Sequence, residues 1–341
     1  MIPPAELTTP DELTAATGSR GSMMGPGDLA EMLEPWLARV GANLAGITSP
    51  VVVACSGGTD SLALLSIAIA AGLDPVAVHV DHGIRDGSGA EGQHVERVAR
   101  RLGARFLGTT ALVQSGSGLE ARARVERYAA LERARDELGA DWVLVAHTVD
   151  DQAETVLLNL LRGSAAAGLG GMPARRGHLC RPILDLRRSD TAEICDLLDL
   201  HPVDDPMNSD ASYRRVWIRN EVLPMLERGA DRDLRPVLAR QAKVLRAESD
   251  YLDDLAIGVL AGAGNPPEAA ALVEAPTVLA RRAVRLWLGP PPPSLDEVEG
   301  VMEVARGERR SVNLTGDRWI TRSKGLIVLH CRDNSQGSSN G

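Results

Sequence analysis

Short apolar runs alternate with longer amphipathic stretches between positions 51 and 161 of the chain. The apolar runs have the length of strands; they are Val51–Cys55, Val76–Val80, Ala104–Gly108 and Trp142–Ala146. The stretches between them have helical periodicity; they are Ser61–Ala71, Gly92–Leu102, Leu119–Leu138 and Asp150–Leu161. In the third stretch, four residues have the spacing of a core-facing stripe: Leu119, Val125, Tyr128 and Leu131. This alternation predicts an α/β fold with a doubly wound, mostly parallel sheet, which binds ligands at the carboxyl ends of its strands.

The rhythm changes after about residue 186. Further helices are predicted at Arg187–Leu200, Val216–Glu227 and Asp231–Leu260, and strands at Ser311–Leu314 and Gly325–Leu329. We therefore expect a helical extension followed by a small C-terminal α+β domain. The predicted division is a disordered extension at 1–26, the α/β domain at 27–228, a helical linker at 229–262, the small domain at 263–333 and a disordered tail at 334–341.

Composition and charge indicate a globular protein that is neither uniformly basic nor membrane-spanning. With 341 residues and 44% hydrophobic content, the chain has enough apolar surface for one large and one smaller core. The formal net charge of −9 excludes a uniformly basic protein, but nine basic and four acidic residues lie between Tyr213 and Arg246. The four cysteines form no CxxC pair, and no apolar run is long enough to span a bilayer. A cytoplasmic protein with no membrane partner is expected.

The most informative motif joins the first predicted strand to the first helix and reads Cys55-Ser-Gly-Gly-Thr-Asp-Ser61. Adjacent glycines let the backbone approach an anion, and the helix start presents unpaired amides to it. The loop resembles the SGGxDS PP-loop of the ATP pyrophosphatases, which implies that it holds the β,γ-pyrophosphate of ATP. The implied ATP-binding residues here are Ser56, Gly57, Gly58, Thr59, Asp60 and Ser61. The resemblance also implies that Asp60 faces Mg²⁺ or a substrate amine, whereas an ordinary acid in a first helical turn is the alternative.

Two further segments carry histidine or arginine near predicted strand ends. His79 and His82 follow the second strand in a segment resembling HVxHGLR of lysidine synthetases, which implies contacts with ATP; a structural histidine is the alternative. Arg124 and Arg127 share one helix face within a segment resembling EAxARxxRY of the same family. That resemblance favours phosphate or substrate binding over a solvated charged face.

The segment after the fourth strand places His147 before two acids, Asp151 and Glu154, which are three residues apart on a helix. Paired carboxylates beside an imidazole can hold an ammonium ion and manage its protons, although helix capping accounts for one of the acids. The segment resembles the HHxDDQAET signature of lysidine synthetases, with Thr148 in place of the second histidine. Further along, Arg215 and Arg219 are one turn apart in a segment resembling YxRNxIR, and phosphate contact is favoured over generic surface arginine.

Taken together, the motifs from Val51 to Leu226 resemble those of the bacterial tRNA(Ile)-lysidine synthetase family, in the family's order. The resemblance implies an adenine nucleotide α-hydrolase-like PP-loop fold and ATP-dependent attachment of free L-lysine to the wobble cytidine of the CAU-anticodon isoleucine tRNA. The implied catalytic residues are Asp60, Arg124, His147, Asp151 and Arg215. Lysine would be bound by Asp151 and Glu154, tRNA by Arg127, Arg215 and Arg219, and Mg²⁺ by Asp60. The small C-terminal domain would contact the tRNA, and a homodimer is one open alternative for the assembly.

Other functions stay open from the residues alone. A tRNA thiolation enzyme can use the same loop but generally needs cysteine pairs, which are scattered here. An amide ligase of the asparagine or NAD synthetase type needs an ammonia source, and no N-terminal cysteine nucleophile is visible. A non-catalytic nucleotide- or RNA-binding protein is the third alternative, and the intact loop argues against it.

Overall fold

The computed structural model describes residues 25–81, 88–111, 119–203 and 214–332. His82 lies outside these ranges, as do the predicted disordered segments apart from residues 25 and 26. The chain divides into two compact units, Met1–Lys243 and Val244–Gly341. Within the described ranges, no helix is both long and apolar enough to cross a membrane.

The first unit is built on a six-stranded sheet with the order β3-β2-β1-β4-β6-β5. Its strands are β1 (Val51–Ala54), β2 (Pro75–Asp81), β3 (Arg105–Thr110), β4 (Trp142–Leu144), β5 (Arg175–Arg176) and β6 (Leu179–Cys180). All neighbouring pairs are parallel except β5 with β6. The predicted doubly wound, mostly parallel sheet is thereby confirmed, and the two-residue strands β5 and β6 are additions too short for a periodicity to reveal.

Helices cover this sheet and continue beyond it. They are α1 (Pro26–Met32), α2 (Glu34–Leu44), α3 (Thr59–Ala70), α4 (Ser88–Arg101), α5 (Leu119–Glu137), α6 (Val149–Leu161), α7 (Ala166–Leu169), α8 (Arg188–Leu197), α9 (Arg214–Trp217), α10 (Leu223–Ala230) and α11 (Arg235–Ala263). A π-helical segment, Ile218–Val222, joins α9 to α10. The boundary between the two units falls within α11.

Helix α3 is central to the core that positions the functional loop. Ten of its twelve residues are buried, which explains why its sequence is apolar on all sides rather than striped. It belongs to one cluster with β1 and with α8, including Val53, Leu64 and Ile194. Each fully buried leucine or isoleucine contributes about 1.5–3 kcal/mol. The start of α3, and with it the loop, is therefore held rigidly at the end of β1.

The second unit places three helices against an antiparallel sheet of three strands in the order β7-β8-β9. The helices are α12 (Ala269–Glu274), α13 (Thr277–Leu288) and α14 (Leu295–Arg306), and the strands are β7 (Ser311–Leu314), β8 (Arg318–Ser323) and β9 (Leu326–Cys331). Strand β8 was not predicted from the sequence, because its arginines interrupt the apolar alternation. Helix and sheet together confirm the expected α+β class.

Two local predictions were wrong. Val125 of the predicted stripe is 64% exposed, whereas Tyr128 and Leu131 of that stripe do pack on the sheet, together with Ala134. The long helix was expected to begin at Asp231, but that residue ends α10 in the left-handed conformation, with φ of 49°. A left-handed residue interrupts the helical hydrogen bonds, so α11 begins only at Arg235.

Candidate active site

The loop after β1 has the geometry of an anion cradle. Gly57 has φ of 88°, and a Cβ there would lie 3.3 Å from Cγ2 of Val95, so glycine is needed for both conformation and space. Gly58 is the N-cap of α3 and makes no side-chain cap, which leaves the first amides of the helix available. Ser61 Oγ donates to the Gly58 carbonyl oxygen over 2.8 Å, fixing the turn. Ser56 is exposed at the mouth of the loop.

Asp60 lies in the first turn of α3 and faces α8. Its Oδ1 accepts a 2.5 Å hydrogen bond from Thr191 Oγ1, and its Oδ2 lies 3.7 Å from Nε of Arg188. Burial is the main reason that the pKa of Asp60 is raised to about 6, with nearby Asp151 adding to the effect and the Thr191 hydrogen bond opposing it. Asp60 is therefore a carboxyl that can change protonation near neutral pH.

His79 supports the loop from behind. The side chain is buried, and its Nδ1 donates to the Cys55 carbonyl oxygen over 3.0 Å, a contact that requires the proton on Nδ1. The ring also packs against Gly92, where a Cβ would lie 3.3 Å away. These contacts give His79 a role in holding the loop, and the ATP contact expected for it remains a prediction. The corresponding prediction for His82 falls outside the described residues.

The start of α6 explains the threonine found in place of the second histidine. Thr148 is the N-cap, and Oδ2 of Asp151 accepts from its amide at 2.9 Å and from its hydroxyl at 3.0 Å. These contacts form a capping box, in which cap and third residue satisfy each other's donors. One oxygen of Asp151 is thus committed to the helix, and Oδ1 faces the site.

Arg188 contacts all three acids of the site, and it was not predicted as a site residue from the sequence. Its guanidinium donates to Asp151 Oδ1 over 2.7 Å and to Glu154 Oε1 over 3.0 Å, besides its approach to Asp60. Although burial opposes its charge, the three carboxylates raise the pKa of Arg188 above its ordinary value. A sequence signal did exist, since an arginine in the first turn of a helix is disfavoured by the helix dipole unless acids compensate for it.

Glu154 is almost fully buried and doubly paired. It is 1% exposed and also accepts from Arg219, whose Nε lies 2.7 Å from Oε1. One turn earlier on α6, Asp150 accepts a hydrogen bond from the backbone amide of Arg188 and forms an ion pair with Arg235 at 3.2 Å. Asp151 and Glu154 do share one helix face, as the spacing indicated, but their open oxygens already hold guanidinium groups. An incoming ammonium ion must compete with Arg188.

His147 follows β4 and is surrounded by cations. Its ring is half-buried, its Nδ1 is shielded from solvent, and that atom has no hydrogen-bond partner within the described residues. Burial lowers the pKa of His147 to about 3; Asp151 opposes the shift and Arg181, Arg124 and Arg215 reinforce it. The imidazole is therefore neutral at pH 7, and its Nδ1 is a buried polar atom without a hydrogen-bond partner among the described residues.

The arginines around His147 come from three separate parts of the chain: α5, the segment after β6, and α9. Arg124 and Arg127 lie beside the ring of Tyr128 on α5, with 5.1 Å and 5.6 Å from their guanidinium carbons to its centroid. Arg215 donates to Thr155 Oγ1 over 2.8 Å. Burial lowers the pKa of Arg127, and Arg124 and Arg215 add to that shift.

Arg181 completes this cationic cluster and was not predicted as a site residue. It is buried, and its Nη1 donates to the Pro173 carbonyl oxygen over 2.8 Å, while its shielded Nε has no hydrogen-bond partner among the described residues. Over the residues that the structure covers, the four arginines of the cluster (Arg124, Arg127, Arg181 and Arg215) form no ion pair with a carboxylate. Uncompensated positive charge of this kind favours a bound anion.

A divalent cation fits the site only together with a ligand. No group of three or more His, Cys, Asp or Glu side chains with metal-binding geometry exists in the described ranges. Mg²⁺ is commonly held by one or two carboxylates plus substrate phosphates and waters, so Asp60 beside the anion cradle fits that mode. The anion cradle follows β1, the acids of α6 follow β4, and Arg181 of the cationic cluster follows β6, the neighbour of β4. These three groups can serve nucleotide binding, amine binding and charge stabilisation.

Comparison with known proteins gives a consistent result. A family model described as a PP-loop domain matches residues 37–226. A tRNA(Ile)-lysidine synthase of Nocardia farcinica is 43% identical over 263 residues, covering 76% of this chain and 81% of that protein. A tRNA(Ile)-lysidine synthase of Thermobifida fusca is 39% identical over 297 residues, covering 82% and 91% respectively.

Among solved structures, a U34-tRNA thiolase of Methanococcus maripaludis is similar with a TM-score of 0.52 at 17% identity. The match covers 63% of this chain and 80% of that protein. At such low identity the likeness concerns the fold alone, and it agrees with the parallel sheet described above.

Proposed function

This chain belongs to the tRNA(Ile)-lysidine synthase family, and we propose that it ligates L-lysine to C2 of the wobble cytidine in the CAU-anticodon isoleucine tRNA. The observation that carries the proposal is the adjacency of two motifs. The loop Ser56–Ser61 follows β1, and the acid group of α6 follows β4, which is the parallel neighbour of β1. A nucleotide and an amine bound at these ends would lie next to each other.

The first step is adenylation of the cytidine. The C2 oxygen attacks the α-phosphorus of ATP, the bond to the β-phosphate oxygen breaks, and pyrophosphate leaves. The amides of Gly58 and Thr59 would hold the departing pyrophosphate, with Mg²⁺ supplying charge compensation beside Asp60. The cationic cluster, chiefly Arg124 and Arg215, would stabilise the negative charge on the α-phosphate.

The second step is attack by lysine. The ε-amine forms a bond to C2, the C2–oxygen bond breaks, and AMP departs with the oxygen. Asp151 and Glu154 would orient the ammonium form of lysine once Arg188 gives up part of its contact with them. Since the attacking amine must lose its protons, a nearby acceptor is needed, and we assign this role to His147.

The lowered pKa of His147 bears on that assignment. A neutral imidazole is ready to accept a proton, but one with a pKa of about 3 is a weak base. A phosphate anion bound among the surrounding arginines would offset their field and raise the pKa of His147. Binding of the nucleotide phosphate would therefore prepare His147 to act as the base in the second step.

The thiolation alternative is disfavoured by the cysteines. Cys55, Cys180 and Cys195 are all buried, and burial raises the pKa of Cys55 to about 11 and that of Cys195 to about 12. Thiols in this state supply little thiolate for sulfur transfer. We further propose that the protein acts in the cytoplasm and that Arg127 and Arg219 assist tRNA binding.

The test uses purified full-length protein with labelled lysine, Mg²⁺-ATP and an unmodified transcript of the isoleucine tRNA. We expect lysine in the tRNA together with AMP and pyrophosphate, and no lysine incorporation by Asp151→Asn. Asp196→Asn, an equivalent change at an exposed position of α8, serves as the control and should behave as wild type. Pyrophosphate release without lysine incorporation by the wild type would reject lysine as the nucleophile.

A further inference from the structure

The small sheet of the second unit has one face packed and one face open to a ligand. Val312, Ile320 and Ile327 are buried on the face that packs against the helices. Side chains alternate along a strand, so Trp319 and His330 stand on the opposite face. Both of these aromatic side chains are partly exposed.

Trp319 and His330 form a preorganised aromatic pair. They are direct register partners on β8 and β9, with ring centroids 5.0 Å apart and an interplanar angle of 10°. Thr321 Oγ1 lies 2.9 Å from Nε2 of His330 and fixes the orientation of that ring. A stacked pair held in this way can extend its stack onto a third planar group with little loss of side-chain freedom.

The surroundings of the pair are strongly basic within an acidic protein. Residues 306–332 contain seven arginines or lysines but only two acids, whereas the whole chain carries −9. Arg306 and Arg309 form ion pairs with acids, and Arg318 and Arg322 donate to backbone carbonyls. The other three are exposed and form no ion pair in the part of the chain that the structure describes: Arg310, Lys324 and Arg332.

Two of these cations lie at one end of the sheet. Arg310 immediately precedes Ser311, which pairs with Thr321, and Lys324 lies in the turn that joins β8 to β9. Polyanion binding by such a face would combine phosphate contacts at its end with stacking on its surface. Single-stranded nucleic acids are bound through this combination of basic residues and aromatic platforms.

We infer that the outer face of the β7–β9 sheet is a binding surface for an unpaired nucleotide of the tRNA substrate. The base stacks on the Trp319–His330 pair, and the flanking phosphates contact Arg310 and Lys324. The inference rests on the proposed function only in taking tRNA as the substrate. A base within a duplex is already stacked on its neighbours and does not offer the free face that this platform needs.

The experiment measures binding of the unmodified isoleucine tRNA transcript to full-length protein at several salt concentrations. Trp319→Leu keeps apolar bulk but removes the stacking ring, and we expect about tenfold weaker binding with an unchanged salt dependence. Trp287→Leu is the matched control, since Trp287 is also a half-buried tryptophan of the same unit, and it should bind as wild type. Unchanged affinity in Trp319→Leu would overturn the inference.

Two further variants test the surface without changing Trp319. Arg310→Gln combined with Lys324→Gln changes only exposed side chains and should lower the slope of log affinity against log salt by roughly one to two. His330→Ala should weaken binding with the slope retained. If the double variant keeps the wild-type slope of log affinity against log salt, Arg310 and Lys324 do not contact phosphates and that part of the inference is wrong. If Trp319→Leu weakens binding of a fully paired RNA duplex as much as binding of tRNA, the inference that an unpaired base stacks on Trp319 is wrong.

Failure of this surface and failure of the proposed reaction are distinguishable. If wild type incorporates lysine while Trp319→Leu binds tRNA normally, the surface is wrong and the reaction stands. If wild type binds tRNA through Trp319 but incorporates no lysine, the surface stands and the reaction is wrong.

Discussion

The guanidinium of Arg188 lies 2.7 Å from Oδ1 of Asp151, the oxygen that the capping box leaves open towards the site. The same guanidinium reaches Glu154 and Asp60, so a single cation compensates three carboxylates from two separate motifs. In the proposed reaction, the acids therefore already have a counter-ion before lysine arrives. Although burial opposes it, Arg188 helps to hold the pKa of Asp151 below its ordinary value, and in the proposed reaction lysine would take over part of this role.

Removing this counter-ion should destabilise the protein and impair amine binding. Arg188→Met removes the ion-pair partner of the buried Asp151 and leaves Glu154 with Arg219 alone. We expect the free energy of unfolding to fall by about 3 kcal/mol, measured by urea denaturation. Arg188→Lys retains the charge but not the fork that contacts Asp151 and Glu154 together, so it should recover only part of the loss. Equal stability of Arg188→Met and wild type would show that the acids do not depend on this cation.

Protonation of His147 should make the protein less stable in acid. Its folded pKa of about 3 lies below the ordinary 6.5, so below pH 6.5 the unfolded chain binds a proton that the folded chain does not. Stability should therefore fall as the pH drops from 6.5 towards 3, by at most about 1.4 kcal/mol per pH unit from this group. The measurement is urea denaturation of wild type and His147→Gln at pH 7, 6 and 5. The free energy of unfolding should fall more steeply with decreasing pH in wild type than in His147→Gln. Parallel curves would contradict the lowered pKa of His147.

Asp60 should set the acidic limb of the pH profile for pyrophosphate release. Its pKa of about 6 means that activity requiring the carboxylate falls as the pH drops through that value. The Thr191 hydrogen bond stabilises the ionised form, so Thr191→Val should raise the pKa of Asp60 and move the limb to higher pH.

Thr191→Ser supplies the control, because it keeps the hydroxyl and should restore the wild-type limb. The profile of kcat/KM for ATP between pH 5 and 8 distinguishes these outcomes. If the acidic limb of the profile does not move in Thr191→Val, a group other than Asp60 sets it.

The elements that could be predicted from the sequence are those with local signals. The strand–loop–helix unit around Gly57 combines an apolar run, adjacent glycines and an apolar helix, so both its fold and its anion-binding character were readable. The acids of α6 were also placed correctly on one helix face. These features depend on residues within a few positions of each other.

The pairing between motifs could not be predicted in the same way. Arg188 lies 37 positions after Asp151, and its contact exists only because α8 packs beside α3 in the folded core. Arg181 gave no periodic signal, since it follows a strand of two residues. Val125 had the correct spacing for the core, but spacing cannot show where a helix loses contact with its sheet.

A glycine outside the loop should prove important for holding α6 in place. Gly171 has φ of 60°, and a Cβ there would lie 2.5 Å from Oε1 of Gln152, the residue after Asp151. Gln152 exchanges two hydrogen bonds with the backbone of Met172, at 2.7 Å and 3.0 Å. Gly171→Ala should therefore lose stability both from the left-handed backbone and from these bonds, by about 2–4 kcal/mol in all.

Gly177→Ala separates the two contributions. Gly177 has a similar φ of 56°, but a Cβ there meets nothing within 4 Å, so only the backbone cost of about 1–2 kcal/mol should appear. Denaturation curves of both variants measure the difference, and lysine incorporation reports whether α6 has shifted. If Gly171→Ala is no less stable than Gly177→Ala, the contact with Gln152 does not anchor the helix, and the position of Asp151 must be fixed by its capping box and Arg188 alone.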